Sequence, residues 1–376
     1  MEKLVQPIAQ QNKKQQGAVL IIVLLIVALI TGLVLRFNGN FQLTMARVEQ
    51  RLHGGQANHY LLSVESFAQW GLTADAQADK ENGNGSYDHL GEKWAATKIS
   101  APVDGGWAEA ELTDAQGRFN INQLQGRPQP YQPNGAFGNR FTPAQRRFIR
   151  LLQTDENNPV SSSDAIPIME AIIDWIDADD NTTGAGGAES AFYAVQTVPY
   201  RAANQLFVSI TELRLVRGIT PDIYRYLEPL VIALPDNSGI NLNTAPAVIM
   251  RTINTKHNPE PLSEDDGHSL MNDRPTENAA QTDDSSLDVF TNNDNDQEGF
   301  KATDDFLNSA GFQAVFGADP TIWPEMDGLT TGSNYFLLTA EAQVVNQYRR
   351  GVSLLKRVQK DNAFKTLVIR RSQNQL

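Results

Sequence analysis

The fold of this chain is decided near its N-terminus by residues 17–35, which read GAVLIIVLLIVALITGLVL. Residues 18–35 contain no charge, and at 1.5 Å per residue they form a helix of roughly 27 Å. This length is close to the ~30 Å hydrocarbon core of a bilayer, so the stretch predicts one membrane-spanning helix. Lys13 and Lys14 precede it, and the positive-inside bias therefore places this end in the cytoplasm.

Gly17 lies between the basic leader and the apolar run, whereas a secretory signal carries its cleavage site on the far side of such a run. This order resembles the class III signal of type IV prepilins and of the pseudopilins of type II secretion. The resemblance implies that a prepilin peptidase cleaves after Gly17 and leaves Ala18 as the new N-terminus. The alternative is a plain signal anchor in which Gly17 has no role.

Ile22 stands at the fifth position counted from Ala18, where most members of this family carry Glu. A carboxylate in hydrocarbon is costly unless it meets a partner charge, and the family's Glu is thought to meet the N-terminal amine of the preceding subunit. A subunit without a predecessor needs no such Glu. Ile22 therefore predicts the subunit at the filament tip, which in type II secretion is the K-type minor pseudopilin.

The composition is that of an exported, acidic protein. The 376 residues include 31 basic and 44 acidic side chains, and the net charge of −13 disfavours binding to nucleic acid. The chain has no cysteine, so its stability in an oxidising periplasm must come without disulfides. It also lacks Gly-x-Ser-x-Gly and His-Glu-x-x-His sequences, so the common nucleophile and zinc signatures are absent.

Periodic patterns beyond Leu35 predict the remaining architecture. Apolar residues recur at three- and four-residue spacings as far as Trp70 and Gly71, which predicts one long helix. Alternating patterns predict a hairpin (residues 107–113 and 118–122, joined by the turn 114–117) and three later strands (residues 335–345, 351–358 and 364–369). We therefore predict an α+β fold: a long N-terminal helix, transmembrane in its first half, packed on a small antiparallel sheet of pseudopilin type that a large all-helical insertion interrupts.

The insertion contains several predicted helix starts. Thr142-Pro143 and Thr220-Pro221 each place an N-cap before proline at the first helical position. Residues 209–212 read as a capping box, and Asp164 is predicted to cap a further helix. Several short helices with short links predict a compact α-domain.

Two stretches of the insertion, residues 212–220 and 240–245, resemble helix-hairpin-helix sequences. DNA-binding versions present a glycine-rich hairpin to a phosphate, but here one glycine is followed by Ile-Thr-Pro and the surrounding charge is negative. Packing is therefore favoured over DNA binding. The same stretches recur in the K-type family, and with Gly17, residues 119–122 (FNIN) and residues 174–177 (DWID) they extend the resemblance over most of the chain.

An acidic cluster is the best candidate for a chemical site. Asp174, Asp177 and Asp179 leave the end of a predicted helix, and a glycine-rich stretch then leads to Glu189. Hard cations such as Ca²⁺ bind carboxylate and carbonyl oxygens, and glycines let the backbone turn its carbonyls inward. We predict a Ca²⁺ site formed by Asp174, Asp177, Asp179 and Glu189.

The family resemblance also implies calcium in the α-domain. The usual pattern there is Gly-Ala-Glu followed by a further acidic residue. Gly187-Ala188-Glu189 matches this pattern, whereas Ser190 stands at the acidic position and leaves one ligand open. The alternative is a solvated acidic loop that holds no metal.

Residues 254–298 are rich in Asp, Asn, Ser and Thr and predict a long exposed loop. Low-complexity acidity of this kind usually serves solvation. A second metal site in this loop rests on composition alone, with candidate ligands Asn292, Asn293, Asp294, Asp296 and Glu298.

The chain is predicted to have five parts. They are a cleaved prepilin leader (residues 1–17), a transmembrane and packing helix (18–71), the first part of the β-domain (72–124), the helical insertion (125–332) and the C-terminal strands (333–376). This organisation places a single pass in a bacterial inner membrane and the bulk of the chain in the periplasm.

The resemblance implies a non-enzymatic minor pseudopilin that forms and caps the tip of the periplasmic pseudopilus, where its bulky α-domain blocks further addition. The implied partners are the I- and J-type minor pseudopilins, the prepilin peptidase, exported substrates and the secretin, without nucleic acid. Two other classes stay open. One is a helix-hairpin-helix nucleic-acid-binding component of a pilus-like machine, which salt-sensitive retention on DNA would identify. The other is a membrane-anchored periplasmic enzyme, which enzymatic activity that survives mutation of Gly17 would identify.

Overall fold

The N-terminal helix α1 runs unbroken from Gln15 to Asn82 in the computed structural model, which describes residues 15–82, 87–95, 98–132, 136–274, 299–361 and 363–373. Its most apolar window has a mean hydropathy of 3.3 and no buried residue, so by length and composition it can cross a membrane. The predicted end near Gly71 is wrong. The helix continues to Asn82 because two residues of its last part, Leu72 and Ala76, are buried.

The second half of α1 packs on a five-stranded antiparallel sheet. In spatial order the strands are β1 (Ile99–Val103), β2 (Gly106–Asp114), β7 (Tyr335–Val344), β8 (Gln347–Lys360) and β9 (Ala363–Ser372). Ala68 and Leu72 of α1 share a core with Phe336, Leu338 and Leu355 of the sheet. The α+β prediction is confirmed, as are the three C-terminal strands, although β8 and β9 are longer than predicted.

The predicted hairpin is wrong in its second strand. β2 pairs with β1 on one side and with β7 on the other, whereas Phe119 and Asn120 form β3, which pairs in parallel with β4 (Val231–Ile232). The reason lies in the predicted turn: Asp114 caps a 3₁₀ helix at Ala115–Gly117, and its Oδ1 accepts a hydrogen bond from the Gln116 amide at 2.7 Å. This 3₁₀ turn leads the chain out of the sheet rather than back along it.

Between β2 and β7, the described residues within 115–334 form a helical domain. In the described part of the chain its α-helices are α2 (Phe137–Arg140), α3 (Pro143–Leu152), α4 (Ser162–Ile176), α5 (Ser190–Tyr193), α6 (Pro221–Leu227), α7 (Ala247–Met250), α8 (Glu264–Ser269), α9 (Thr303–Asn308) and α10 (Ala310–Phe316). Short 3₁₀ helices at Ile121–Leu124, Ile210–Leu215 and Pro320–Ile322 connect them. A continuous core that begins at Phe119 and ends at Phe316 fills the domain.

Most of the predicted helix starts are confirmed. Thr142 forms a capping box at α3, Thr220 caps α6, and Ser209 forms a capping box, although it opens a 3₁₀ helix. Asp164 is not the cap of α4. Ser161 holds that position, and its hydroxyl accepts a hydrogen bond from the Asp164 amide at 3.2 Å, because the chain is already helical at Ser162.

The helical domain contains an internal repeat that the sequence analysis missed. Asn120 and Asn241 each end a two-residue strand, β3 and β5 (Ile240–Asn241), and each accepts a hydrogen bond from the amide two residues later. The next asparagine of each pair, Asn122 or Asn243, is fully buried and donates to two backbone carbonyls. β5 pairs in parallel with β6 (Leu329–Thr330), just as β3 pairs with β4. The same arrangement of a short strand and two asparagines therefore occurs twice in the domain.

The predicted acidic loop is only partly described. Its beginning is partly packed on the domain: Asn254 is buried and residues 264–269 form α8, although side chains such as that of Asp265 are exposed. Arg150 of α3, itself buried, holds this part by donating hydrogen bonds to the carbonyls of Thr252, Thr255 and Asn258. Residues 275–298, which include Asn292, Asn293, Asp294, Asp296 and Glu298, lie outside the described residues.

Candidate metal centre

The end of α4 and the glycine-rich loop that follows it bring carboxylates together. Asp174 lies in the last turn of α4 and is fully buried, and its Oδ1 accepts a hydrogen bond from the Thr183 amide at 2.9 Å. Asp177 is the C-cap of the same helix, and Glu189 is the N-cap residue of α5. The chain between them turns back so that both ends of the loop face Asp174.

Three of the four predicted ligands meet at this point. Asp174, Asp177 and Glu189 each offer an oxygen, and these oxygens all lie within 4.8 Å of one another. Both carboxylate oxygens of Asp177 and both of Glu189 are buried without a hydrogen-bond partner. Buried carboxylates need a hydrogen bond or a counter-charge, so this donor set of hard oxygens fits a hard divalent cation such as Ca²⁺.

The electrostatics of the three carboxylates follow from the same crowding. Burial, followed by the charges of Asp174 and Asp177, raises the pKa of Glu189 to about 7. Burial also raises the pKa values of Asp174 and Asp177 above the ordinary range for aspartate. In the absence of a cation, protonation is the way in which the site relieves its repulsion.

Glycines are required in the loop because the backbone approaches the carboxylates closely. A Cβ at Gly187 would lie 2.3 Å from Asp174 Oδ2 and 2.5 Å from the Thr183 carbonyl oxygen. Arg217 steadies this stretch, since its Nη1 donates to the carbonyls of Gly186 and Gly187 at 3.4 and 3.1 Å. The predicted Gly187-Ala188-Glu189 pattern thus has a steric basis.

Asp179 does not join the other three carboxylates. Its side chain is exposed, and its Oδ1 accepts hydrogen bonds from Arg127 Nη2 at 2.6 Å and from the Asn181 amide at 2.8 Å. Arg127 Nη2 also lies 3.7 Å from Asp177 Oδ2. Asp179 therefore positions a cationic side chain beside the site, and the prediction of Asp179 as a ligand is not supported by its geometry.

A second buried carboxylate group connects α1 to the sheet. Asp75 of α1, Asp88 and Glu92 converge on Arg357 of β8, whose Nη2 bonds to Asp88 and whose Nη1 lies 3.3 Å from Asp75 Oδ2. Burial, then Asp88 and Asp79, raises the pKa of Asp75 to about 8, although Arg357 opposes the shift. Arg357 is far in sequence from the three carboxylates, and no local motif links them to it, which is why sequence analysis missed the group.

The helix-hairpin-helix resemblance has a packing explanation. The hairpin glycine, Gly218, adopts φ +86°, and a Cβ there would lie 2.9 Å from Ile168 Cγ1 on α4. Its neighbour Arg217 faces the glycine-rich loop, and its guanidinium lies over the Phe192 ring. The hairpin therefore contacts the protein's own core and supports the carboxylate site.

Comparison with known proteins identifies the family. The family model described as Type II secretion system (T2SS), protein K matches residues 117–236, which span the first half of the helical domain from β3 to β4. The Type II secretion system protein K of Pseudomonas aeruginosa is 36% identical over 243 residues, which cover 63% of this chain and 67% of that protein. The chain belongs to the type II secretion system protein K family. It is accordingly a minor pseudopilin of that system.

Other protein K relatives extend the similarity. The homologue of Aeromonas hydrophila is 32% identical over 62% of this chain and 68% of its own length. A putative protein K of Escherichia coli K12 is 29% identical over 88% of this chain and 90% of its own length. The crystal structure of the GspK-GspI-GspJ complex from enterotoxigenic Escherichia coli matches at a TM-score of 0.63 and 24% identity, over 88% of this chain and all of that one, and shares the fold.

Proposed function

We propose that this protein K forms and caps the tip of the periplasmic pseudopilus, as a non-enzymatic subunit whose helical domain blocks further addition. The observation that carries the proposal is where the helical domain attaches to the sheet. A domain of this size at the end of the subunit remote from the membrane occupies the space in which a further subunit would stack.

Contacts along α1 define the two ends of the sheet. Gln56 Nε2 donates to the Asp104 carbonyl oxygen at 3.3 Å, so the turn between β1 and β2 lies toward the anchor. Asp75, nineteen residues further along α1 and roughly 29 Å away at helical rise, meets Arg357 at the other end. β2 enters the helical domain after Asp114, which is paired with Phe336 at that remote end. The helical domain therefore lies away from the membrane.

The N-terminus is consistent with a tip position. In our proposal a prepilin peptidase cleaves after Gly17, and the helix that starts at Ala18 stays in the inner membrane as a single pass. Ile22 is exposed on α1 and presents no carboxylate to the hydrocarbon. A subunit at the tip has no predecessor whose amine would need that charge.

We further propose that the I- and J-type minor pseudopilins assemble with this subunit through α1. Large apolar side chains remain exposed on α1 well beyond the membrane run, among them Met45, Val48 and Leu52. An exposed apolar helix surface of this extent needs a partner in water. The complex that GspK forms with GspI and GspJ in the crystal structure from Escherichia coli supports the same partners here. The helical domain then projects toward exported substrates and the secretin.

Ca²⁺ is proposed to bind the carboxylates of Asp174, Asp177 and Glu189. When bound, the cation supplies a direct partner for the buried oxygens of Asp177 and Glu189, and it joins the end of α4 to the start of α5. Its proposed role is to hold the helical domain in one shape at the exposed tip.

Ile22→Glu tests the tip assignment, with Ile22→Leu as the matched apolar control. If a tip position depends on the missing carboxylate, the glutamate variant is lost from complexes with the I- and J-type subunits, and immunogold labelling no longer finds it at one end of the pseudopilus. The leucine variant keeps both properties. Undisturbed assembly and location of the glutamate variant would contradict the tip proposal.

A further inference from the structure

A groove lies where β9 stops short of the beginning of β8. β9 pairs with β8 only from Val352 onward, while β8 starts at Gln347, and no other strand in the described part of the chain pairs with residues 347–351 on that side. The groove has a volume of about 490 Å³ between this edge and α1. Leu61 and Leu62 of α1 and Leu338 and Ala340 of β7 provide its apolar wall.

Arginines surround this apolar wall. Arg371 forms an ion pair with Glu65, and Nη2 of Arg371 lies 2.7 Å from Oε1 of Glu65. Arg350 Nε lies 3.6 Å from Glu341. Arg349 donates to the Tyr348 carbonyl oxygen at 2.9 Å, and among the described residues it meets no carboxylate. The groove therefore presents a half-buried cation without a matching anion.

The positive charge continues down α1. A Cβ at Gly54 would lie 3.0 Å from Arg349 Nη2, so this face of α1 meets the arginine. Arg51 and Arg47 precede Gly54 by three and seven residues and share its helix face, and both are exposed. We call Arg47, Arg51 and Arg349 the basic strip. The strip is a local group of positive charges on a chain whose net charge is −13.

We infer that the groove and the basic strip form the docking surface for a partner pseudopilin subunit, which contributes a segment with carboxylates beside apolar side chains. The inference rests on the proposed assembly with other minor pseudopilins and specifies where it occurs. Charge complementarity selects an acidic segment, and the apolar wall selects one that also carries apolar residues. The β8 edge adds backbone donors and acceptors for the same segment.

Membrane lipid is too far away to be the occupant. The groove begins at Asn58, 23 residues beyond Leu35 at the end of the apolar run, which is roughly 35 Å along α1. The headgroup zone adds only about 5–8 Å to each side of the hydrocarbon core. A second copy of this chain would bring the same basic strip, and its binding is an outcome that the experiment separates.

The test uses the full chain in detergent, with the I- and J-type subunits of its own system as probes, each titrated separately. In Arg51→Glu/Arg349→Glu, affinity for one of these subunits is expected to fall at least about tenfold. Arg201→Glu/Arg225→Glu makes the same charge change on exposed residues of the helical domain and should leave affinity unchanged. Wild-type affinity should also weaken between about 0.1 M and about 1 M salt, where the Debye length falls from ~10 Å to ~3 Å.

The milder variant Arg51→Ala/Arg349→Ala, with an unchanged melting temperature, separates lost binding from lost folding. Equal affinity of wild type and both groove variants would overturn the docking surface while leaving the proposed assembly intact. Failure of the wild type to bind either subunit would instead count against the proposed assembly. Self-association that the groove variants abolish would assign the surface to a second copy and overturn the inference.

Discussion

The molecule has two regions that differ in how much apolar surface they expose. One is the membrane-proximal region, made of α1 and the five-stranded sheet, and the other is the helical domain. α1 leaves Leu33, Phe37 and Phe41 exposed, with 57–74% of each side chain accessible. The helical domain encloses its apolar residues in one core, with Phe148, Phe306 and Phe312 fully buried. The first region leaves apolar surface available to lipid and, in our proposal, to partner subunits, whereas the second encloses its apolar residues.

The two regions also differ in how they use polar groups. The sheet is joined to α1 by arginine–carboxylate pairs, Arg371 with Glu65 and Arg357 with Asp75 and Asp88. The helical domain has ion pairs of its own, such as Arg140 with Glu170, and it also contains the buried amides of Asn122 and Asn243, which satisfy backbone groups of distant segments. Ion pairs respond to pH and salt, whereas amides do not. The ion pairs between α1 and the sheet are therefore expected to depend on pH and salt, whereas the contacts made by Asn122 and Asn243 are not.

Gly17→Ala should have the largest effect, which is a loss of secretion. It acts on the N-terminal helix of the membrane-proximal region and leaves the helical domain unchanged. The variant, like a strain without the prepilin peptidase, should keep its leader and block secretion, because the uncleaved helix cannot enter the filament. Intact mass of the membrane-extracted chain measures this, and the wild type should begin at Ala18. Gly32→Ala, at a glycine with open space around it in the same helix, is the control that should be processed. Normal processing and secretion of Gly17→Ala would contradict the assignment.

Asn122→Ala should destabilise the helical domain by about 3 kcal/mol, because it leaves the Phe207 amide and the carbonyls of Phe207 and Leu234 without their buried partner. Asn243→Ala should cost a similar amount because Asn243 makes the corresponding contacts to Phe300 and Thr331. Urea unfolding followed by tryptophan fluorescence measures both. Asn308→Ala, which removes an exposed amide, should stay within about 0.5 kcal/mol.

Calcium should stabilise the helical domain and leave the sheet unaffected. At a Ca²⁺ concentration about 100 times Kd, the gain is about 2.7 kcal/mol, seen as a higher melting temperature that EDTA reverses. Glu189→Gln should abolish the gain because it removes a ligand, while Asp180→Asn, an exposed neighbour outside the carboxylate group, should retain it. An unchanged melting temperature of the wild type at millimolar Ca²⁺ would contradict the proposed calcium site.

Asp75→Asn should have the smallest effect, which is a change in the pH dependence of stability. The residue lies at the contact between α1 and the sheet. Since the pKa of Asp75 is raised from 3.8 to about 8 in the folded state, the folded protein binds this proton more tightly than the unfolded chain. The stability that this proton contributes is therefore present below about pH 4 and is lost as pH rises through about 8.

The asparagine variant should flatten this slope and melt about 2–4 °C higher than wild type near pH 8.5, which corresponds to roughly 1 kcal/mol. Thermal unfolding between pH 5 and 9 measures it, with the exposed Asp265→Asn as control. A wild-type slope that persists unchanged in Asp75→Asn would assign the pH dependence to other groups.

Local patterns were predictable from the sequence because their physical causes are local. The apolar run, the continuing helix and the caps at Thr142 and Thr220 depend on spacings of three or four residues. The end of α1 was misplaced because Gly71 suggested a stop, and only burial of Leu72 against the sheet shows why the helix continues. Ser161 was passed over as the cap of α4 because Asp164 offers the same chemistry one turn later.

The amino-acid sequence by itself determined the anchor, the long helix, the C-terminal strands and which carboxylates are available to a metal, since each follows from periodicity or from neighbouring residues. The tertiary structure alone decided that β2 pairs with β1 and β7, that Asp174, Asp177 and Glu189 converge while Asp179 pairs with Arg127, and that Arg357 collects Asp75 and Asp88. Strand partners and converging side chains depend on packing between segments far apart in the chain, and no short-range pattern records that packing.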